Sequence, residues 1–353
     1  MNGRMKKKFA VVVSSHGEVD APSISAYYHN IKHIFAHVSE VMPIPKPARL
    51  LIPVLGSIIQ TVKTKRLGYR SPMNRISAKQ TSLISDALKK YPNGEIQPQF
   101  DLNVFNAYET TPPYTEDLIR SLAGYDGVVV LPMNPIESAF SCGALCRFAL
   151  RYFGDNAFQK MRVVTGLWKD EKLIALYRDY VLAQAAASGF VQGGKNALIV
   201  ALHGTVVADK NGVPVKFHNG LAENQTLFQL FKSALKSDTR NPFSLIEPAY
   251  LNHQVGGKWT EPTLRQTIER LEHAGTESVA MFAAGYYADN SETEFSAAND
   301  LQQSAFKQKK YIPCMNDSPE FAALMAERIM QTAKGLLARQ ALGQAAKHST
   351  NVN

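Results

Sequence analysis

Seven short apolar runs rich in β-branched residues, most of them separated by stretches with helical spacing, constrain the fold of this chain more than any other feature. They are FAVVVS (9–14), FDLNVFNAY (100–108), GVVVLPM (127–133), MRVVTGL (161–167), ALIVALHG (197–204), PFSLIEPAYL (242–251) and SVAMFAAGYY (278–287). Between them, SAKQTSLISDALKKY (77–91), YTEDLIRSLAGY (114–125), KLIALYRDYVLAQAAAS (172–188) and EPTLRQTIERLEHAG (261–275) carry apolar residues three and four apart. This alternation predicts parallel sheets, because parallel neighbours need a crossover and the crossover helix covers a sheet face. The pattern restarts at residue 197, after GGK, which places a boundary near 170–195. A chain of 353 residues, 45% hydrophobic and 20% charged, has the length of about two domains. The expected architecture is α/β, two doubly wound domains spanning 1–180 and 181–330, the final helix of the second able to pack back on the first, followed by a helical extension and tail at 331–353. In NDSPEFAALMAERIMQTAKGLLARQAL, Ser318 reads as the N-cap and Pro319 as the first helical residue of a final helix.

Two of the strand runs end alike, in SSHGE (14–18) and in ALHGT (201–205). Doubly wound sheets bind ligands outside the carboxyl ends of their strands, and both His16 and His203 sit there. The duplication suggests two similar halves, each presenting an imidazole.

Composition removes several function classes. There is no G-x-S-x-G elbow, no G-x-x-x-x-G-K-[ST] loop and no G-x-G-x-x-G after a strand, which takes most of the weight from acyl and nucleotide chemistry. Three cysteines, Cys142, Cys146 and Cys314, make no even-numbered disulfide framework, so a reducing cytoplasm is the default compartment. Cys142 and Cys146, four apart, are a weak metal pair and read as ordinary buried thiols. The basic opening leads into a five-residue apolar run that reads as a strand, not a secretion signal, and no apolar stretch reaches the length of a spanning helix. The net charge of +9 is unevenly spread, since residues 41–85 hold eight Lys or Arg and no Asp or Glu. That window calls for an anionic partner. Because it also contains PARLLIPVLGSIIQTV, an anionic membrane surface matches it better than nucleic acid; a solvated basic face beside a buried helix is the alternative.

Chemistry concentrates in three places: His203, the cluster GYYADNSETEF (285–295) after the last main strand, and the end of FNAY (105–108). Asp289 and Glu292 are three apart and on one helical turn would share a face. A histidine and paired carboxylates meeting across a cleft can accept protons and hold a divalent cation. WTEP (259–262) reads as an aromatic plug, Trp259, and a helix-starting Pro262.

Taken in order, these segments resemble the ferrochelatase family over residues 9 to about 330. The resemblance rests on ALHG, then WTEP matching W-x-x-P, then GYYADNSET against G-F-x-x-D-x-x-E-T, then NDSPEF letter for letter. YYHNIKHIF, YRSPMNRISAKQ, FNAY and VLPMNPIES match more loosely, and 46–66 falls where the family has the lip of its porphyrin cleft. The resemblance implies two flavodoxin-like, Rossmann-like domains facing a central cleft and insertion of ferrous iron into a porphyrin, protoporphyrin IX or coproporphyrin III, in haem biosynthesis. It gives His203 as proton acceptor or metal-side residue with Glu292 opposite, both able to meet the metal, and His16, Tyr108, Tyr286, Asp289 and Ser138 as substrate-binding residues. It further implies porphyrin and Fe(II) as substrates, no tightly bound cofactor, no iron-sulfur cluster because three cysteines cannot supply four ligands, no nucleic-acid partner, a monomer or homodimer, and a cytoplasmic protein with peripheral contact at the inner membrane face through 46–66.

The chain also departs from the family. Its usual Asp-His pair reads Asp289-Asn290, its GDPY element after the His-Gly is replaced by GTVVADKNGVPVKFHNG (204–220), and His16 stands where Leu or Tyr is usual. Cobalt chelatases of the same superfamily carry a His-Gly at the first strand. A cobalt or nickel chelatase of an earlier tetrapyrrole, and a porphyrin- or haem-binding protein without turnover, are therefore the alternative readings.

Overall fold

A computed structural model of the chain describes residues 6–91, 100–253 and 256–350. It divides into two compact units, Met1–Met133 with Phe140–Thr165 and Asp317–Asn353, and Asn134–Ala139 with Gly166–Asn316. Residues 166–180, expected with the first half, thus lie in the second, and 317–330 lie in the first. Residues 351–353 of the expected tail are outside the described residues.

The first unit runs β1 (Lys7–Ser15), α1 (Ile24–Val38), α2 (Lys46–Leu67), α3 (Met73–Lys90), β2 (Phe100–Tyr108), α4 (Thr115–Ser121), β3 (Gly127–Pro132), α5 (Cys142–Phe153), α6 (Ala157–Lys160) and β4 (Met161–Val163). Its four strands are parallel in the order β2-β1-β3-β4. Phe9 to Ser15 of β1 and every residue of β3 are buried, which is why these strands read as unbroken Val-rich runs: a sheet covered on both faces has no polar face to alternate with. Ile119 of α4 and Leu145 and Phe148 of α5 pack on Ala10, Val12, Val128 and Val130. Helices packing on a sheet in this way bury roughly 1.5–3 kcal/mol per large apolar side chain.

The second unit runs α7 (Glu171–Ala187), β5 (Asn196–His203), β6 (Val206–Ala208), α8 (Leu221–Lys236), β7 (Leu245–Leu251), β8 (Lys258–Trp259), α9 (Leu264–His273), β9 (Ser278–Phe282), a π-helical stretch Ser291–Ala297, α10 (Ala298–Gln303) and β10 (Gln308–Ile312). Its four main strands are again all parallel, in the order β10-β9-β5-β7. Counted from the first strand of each unit, both sheets have the order 2-1-3-4, the flavodoxin-like arrangement. Leu264, Ile268 and Leu271 of α9 and Leu301 of α10 cover one face; Tyr177, Phe231 and Phe282 meet edge to face on the other. α7 starts where the side chain of Asp170 accepts from the backbone N–H of Lys172 and Leu173, and it packs against α8, which is why 166–180 belong to this unit.

The last helix, α11 (Pro319–Thr350), packs on α3 and β3 of the first unit. It begins as the sequence predicts: the Phe321 N–H donates to Ser318 Oγ at 3.1 Å. The strand β10 and the short pair β6–β8 have no counterpart among the predicted runs; QKKYI carries three polar residues in five and gives little apolar signal. Pro262 does not open α9. Thr263 caps that helix and forms a capping box with Gln266, because its side-chain oxygen satisfies an orphan N–H that proline can only leave empty.

α1 has no buried residue, and in α2 only Pro53, Ser57 and Thr61 are buried. The apolar residues of α2 face solvent instead, Leu50 at 73% and Ile59 at 64% exposure, with Leu51, Val54, Leu55, Ile58 and Val62 also open. The alternative of a buried helix beside a basic face is therefore replaced by an exposed apolar helix bracketed by cations. Among the described residues, no helix is long and apolar enough to cross a membrane. Cys142 is half-buried and Cys146 exposed, contrary to the expected buried thiols, because both lie in the first turns of α5 while its buried face is Ala144, Leu145, Phe148 and Ala149.

Candidate active site

β5 delivers seven buried residues and then a solvent-accessible eighth, His203. Gly204 is set by proximity: a Cβ there would lie 1.8 Å from Asn252 Oδ1 and 2.7 Å from the Leu251 carbonyl. That carbonyl accepts from the Gly204 N–H at 2.8 Å. The Asn224 side-chain amide donates to the His203 carbonyl at 3.2 Å. The histidine is thus carried on backbone whose neighbours leave it no room to shift.

Two further side chains converge on it. His253 lies two residues past β7, the strand paired with β5, and its ring is 5.4 Å from that of His203. Glu292 Oε1 is 3.1 Å from His253 Nε2. One ligand atom from each of His203, His253 and Glu292 lies within 4.8 Å of the other two. The Tyr286 hydroxyl donates to Glu292 Oε2 at 2.5 Å, and its ring is 5.7 Å from that of His203. Trp259 meets His253 edge-on at 5.5 Å. It is placed there by the β6–β8 ladder, in which Val206 pairs with Trp259; the segment after His203 that departs from the family pattern begins by building this support.

Glu292 reaches the histidines because of Asn290. That residue is extended (φ −152°, ψ −177°), and its Oδ1 accepts from the N–H groups of Glu292 and Thr293 at 2.9 and 3.2 Å. Thr293 Oγ1 accepts from the Asn290 N–H at 3.0 Å, closing a capping box. The extended cap separates Asp289 from the helix, so the expected shared face of Asp289 and Glu292 does not form. Asp289 is buried and its carboxylate accepts from Tyr311 Oη (2.5 Å), the Cys314 N–H (3.0 Å) and Asn316 Nδ2 (2.7 Å). Burial, then the neighbouring Cys314 and Asp289, push the Tyr311 hydroxyl far up, so it remains a donor. Burial and Asp289 likewise push the Cys314 thiol up, which removes it as a thiolate ligand.

The first unit carries the other predicted residues. His16 is 55% exposed and its Nδ1 lies 3.7 Å from Glu109 Oε2. Gly17 follows with φ +83°, where a Cβ would lie 2.5 Å from Thr111 Oγ1. Tyr108 is buried within its own unit: its hydroxyl donates to the Asn74 carbonyl at 3.0 Å and accepts from Asn106 Nδ2 at 2.8 Å. Ser138 is in the Asn134–Ala139 segment of the second unit, beside Gly220. His203, Glu292 and Tyr286 are therefore brought together, Asp289 supports the turn behind them, and Tyr108 is engaged by its own fold. Sequence reading missed His253. The signal for it was available: a histidine just beyond the carboxyl end of the strand run adjoining that of His203.

Two imidazoles and a carboxylate offer nitrogen and oxygen donors suited to a divalent transition ion. The same groups can take a proton on His203 or His253 and balance its charge at Glu292.

A family model described as Ferrochelatase matches residues 8–333. The ferrochelatase of Neisseria meningitidis serogroup C is 25% identical over 340 residues, covering 90% of this chain and 91% of the relative. That of Vibrio vulnificus is 23% identical over 350 residues, covering 94% and 100%. Among solved structures, SirB from Bacillus subtilis with Fe3+ aligns at a TM-score of 0.47 and 11% identity, covering 92% of this chain and 96% of that one. The sirohydrochlorin chelatase SirB from Bacillus subtilis subspecies spizizenii in complex with cobalt aligns at 0.42 and 10%, covering 93% and 96%.

Proposed function

We propose that this chain, which belongs to the ferrochelatase family and is a metal chelatase, inserts ferrous iron into a dicarboxylic or tetracarboxylic porphyrin, protoporphyrin IX or coproporphyrin III. The observation that carries the reading is the convergence of His203, His253 and Glu292 within 4.8 Å. A free-base porphyrin loses two pyrrole N–H protons as the metal enters, and a neutral imidazole with an ordinary pKa of about 6.5 is a suitable acceptor near neutrality. In this reading His203 takes the protons or meets the metal. Glu292, held from one side by Tyr286 and facing His253 on the other, offsets the imidazolium charge and gives the proton a second carrier in His253. Asn290 preserves this route by aiming Glu292 as the helix cap. A site complementary to a bent macrocycle, whose nitrogen lone pairs are exposed, would lower the barrier to insertion.

The reading extends to α2. Its exposed apolar residues and the cations Lys46, Arg49, Lys63, Lys65 and Arg66 suit a helix lying in the headgroup plane of an anionic membrane, where a porphyrin of low water solubility would be met. Binding to vesicles that contain phosphatidylglycerol, lost when Leu50, Leu51 and Ile59 are changed to Ser, is the expected result.

Anaerobic absorbance of the purified protein with each porphyrin and Fe(II), Co(II) or Zn(II) tests the reaction through loss of the free-base bands. Turnover with Fe(II) or its Zn(II) surrogate is expected. Turnover with Co(II) alone would make the chain a cobalt chelatase, and binding without turnover would make it a porphyrin carrier.

A further inference from the structure

The segment GYYADNSET departs from the pattern G-F-x-x-D-x-x-E-T at its second residue, where Tyr286 stands in place of Phe. The difference is one hydroxyl on an aromatic ring, and the ring is fixed by packing. Tyr286 is buried in the cluster that includes Ala201, Ala249, Leu264 and Ala283, with Leu251 against it, and its backbone N–H donates to the Ala283 carbonyl at 3.1 Å. Gly285 sets the ring beside the end of β5. Its N–H donates to the Ala201 carbonyl at 3.2 Å, and a Cβ there would lie 2.6 Å from the His203 backbone nitrogen and 3.0 Å from Leu202 Cα. Only a residue without a side chain lets the turn after β9 come this near, and the tyrosine ring is thereby carried to 5.7 Å from that of His203.

The added hydroxyl donates to Glu292 Oε2 at 2.5 Å, while Glu292 Oε1 faces His253 Nε2 at 3.1 Å. The two oxygens of the carboxylate are thus sorted: Oε2 is engaged by the tyrosine, and Oε1 is turned to the imidazoles. A hydrogen bond to a charged acceptor is short and about twice as strong as one between neutral groups, so this contact is able to select a rotamer. Glu292 needs such a contact, because its side chain is 28% exposed and burial alone does not fix a long flexible chain. The other departure in the same segment, Asn290, accepts from the Glu292 backbone N–H at 2.9 Å. Both departures therefore act on one residue, Asn290 on its main chain and Tyr286 on its carboxylate.

We propose that Tyr286 is a positioning residue, whose hydroxyl holds Glu292 with Oε1 toward His203 and His253 before the metal arrives. The proposal rests on the reading of those three side chains as the site of metal insertion. Two imidazole nitrogens and one carboxylate oxygen occupy three positions of a four-coordinate ion, which leaves the fourth open to an incoming pyrrole nitrogen. The tyrosine acts only through Glu292. Its contribution is that the carboxylate is already oriented when the ion binds, and hydrogen bonds that orient a ligand in this way are worth about 10–100-fold in metal affinity or activity.

The test is Tyr286→Phe in the full-length protein, which removes the oxygen and keeps the ring. Zn2+ affinity is measured by competition with a chromophoric chelator, and kcat and porphyrin KM by absorbance with Zn2+ as the inserted ion. Affinity and kcat should each fall about tenfold, with porphyrin KM and the urea midpoint of the metal-free protein unchanged. In a Glu292→Ala background the same substitution should alter Zn2+ affinity by less than about twofold, because the hydroxyl then has no carboxylate to hold. Wild-type affinity and kcat in Tyr286→Phe, or an equal loss in the Glu292→Ala background, would overturn the proposal, the second result by assigning the effect to packing. A tenfold loss of affinity in a protein that metallates neither porphyrin would instead overturn the proposed reaction and leave the positioning role standing. A wild-type protein that binds no Zn2+ would overturn both.

Discussion

The two units build their sheets in the same strand order, 2-1-3-4, and each first strand ends in His-Gly at the switch point of its sheet. What surrounds the two histidines differs. His203 has a second imidazole and a carboxylate within ligand distance, brought by the end of β7 and by the π-helical stretch after β9. His16 has one carboxylate at 3.7 Å and is more than half exposed. The strand order places an imidazole at the ligand end of a sheet, and the neighbouring segments bring a second imidazole and a carboxylate to His203. In the second unit, bonds near this site come from the β6–β8 pair, from Thr260, whose N–H and Oγ1 bond Thr205 and whose carbonyl accepts from Asn252, and from the Asn290 cap.

The largest effect expected from this contrast is in the paired substitutions His203→Ala and His16→Ala. Removing His203, the proton acceptor of the proposed mechanism, should lower porphyrin metallation by about 10²–10⁴-fold, whereas His16→Ala should change it by less than about tenfold. Equal losses would mean that both halves supply chemistry. Next in size is Glu292→Gln, expected to slow metallation about 100-fold, with His253→Ala weaker; a His253→Ala enzyme at full rate would remove that residue from the proton route while leaving His203 and Glu292 in it. The glycines extend the comparison to stability. Gly204→Ala puts a Cβ against Asn252 and the Leu251 carbonyl, and Gly17→Ala meets Thr111 with the added strain of φ +83°. Each should cost about 1–3 kcal/mol by denaturant unfolding. Only Gly204→Ala should also reduce metallation, by displacing His203.

The smallest effect concerns the scaffold of the first unit. Burial raises the Glu40 pKa, but hydrogen bonds from Arg151 and Arg147 outweigh it and hold the carboxyl below its ordinary 4.5. A depressed carboxylate pKa stabilises the fold above the unfolded value, and that stability is lost as pH falls from about 4.5 through the folded pKa. Glu40→Gln should therefore lower the melting temperature slightly at pH 7 and make no difference well below pH 4.

Much of this molecule is legible in its sequence. The seven predicted strand runs all contain a strand; the signal is plainest in β1, β3 and β5, whose near-continuous burial lets apolar residues run without a polar face. The Ser318 cap and the second His-Gly follow from local chemistry in the same way. Three things were hidden. β10 is polar enough that only its neighbour β9 makes it a strand. Asp289 and Glu292, three apart in sequence, point to different partners because one extended residue intervenes. His253 is 50 residues from His203 in the chain and joins it only because β7 pairs with β5 in a register that sets Leu251 beside His203. Spacing along the chain determined which residues could form strands, helices and caps, since those preferences act over a few bonds. Which side chains meet was decided by strand order and loop closure, since a ligand set is a property of distances in space.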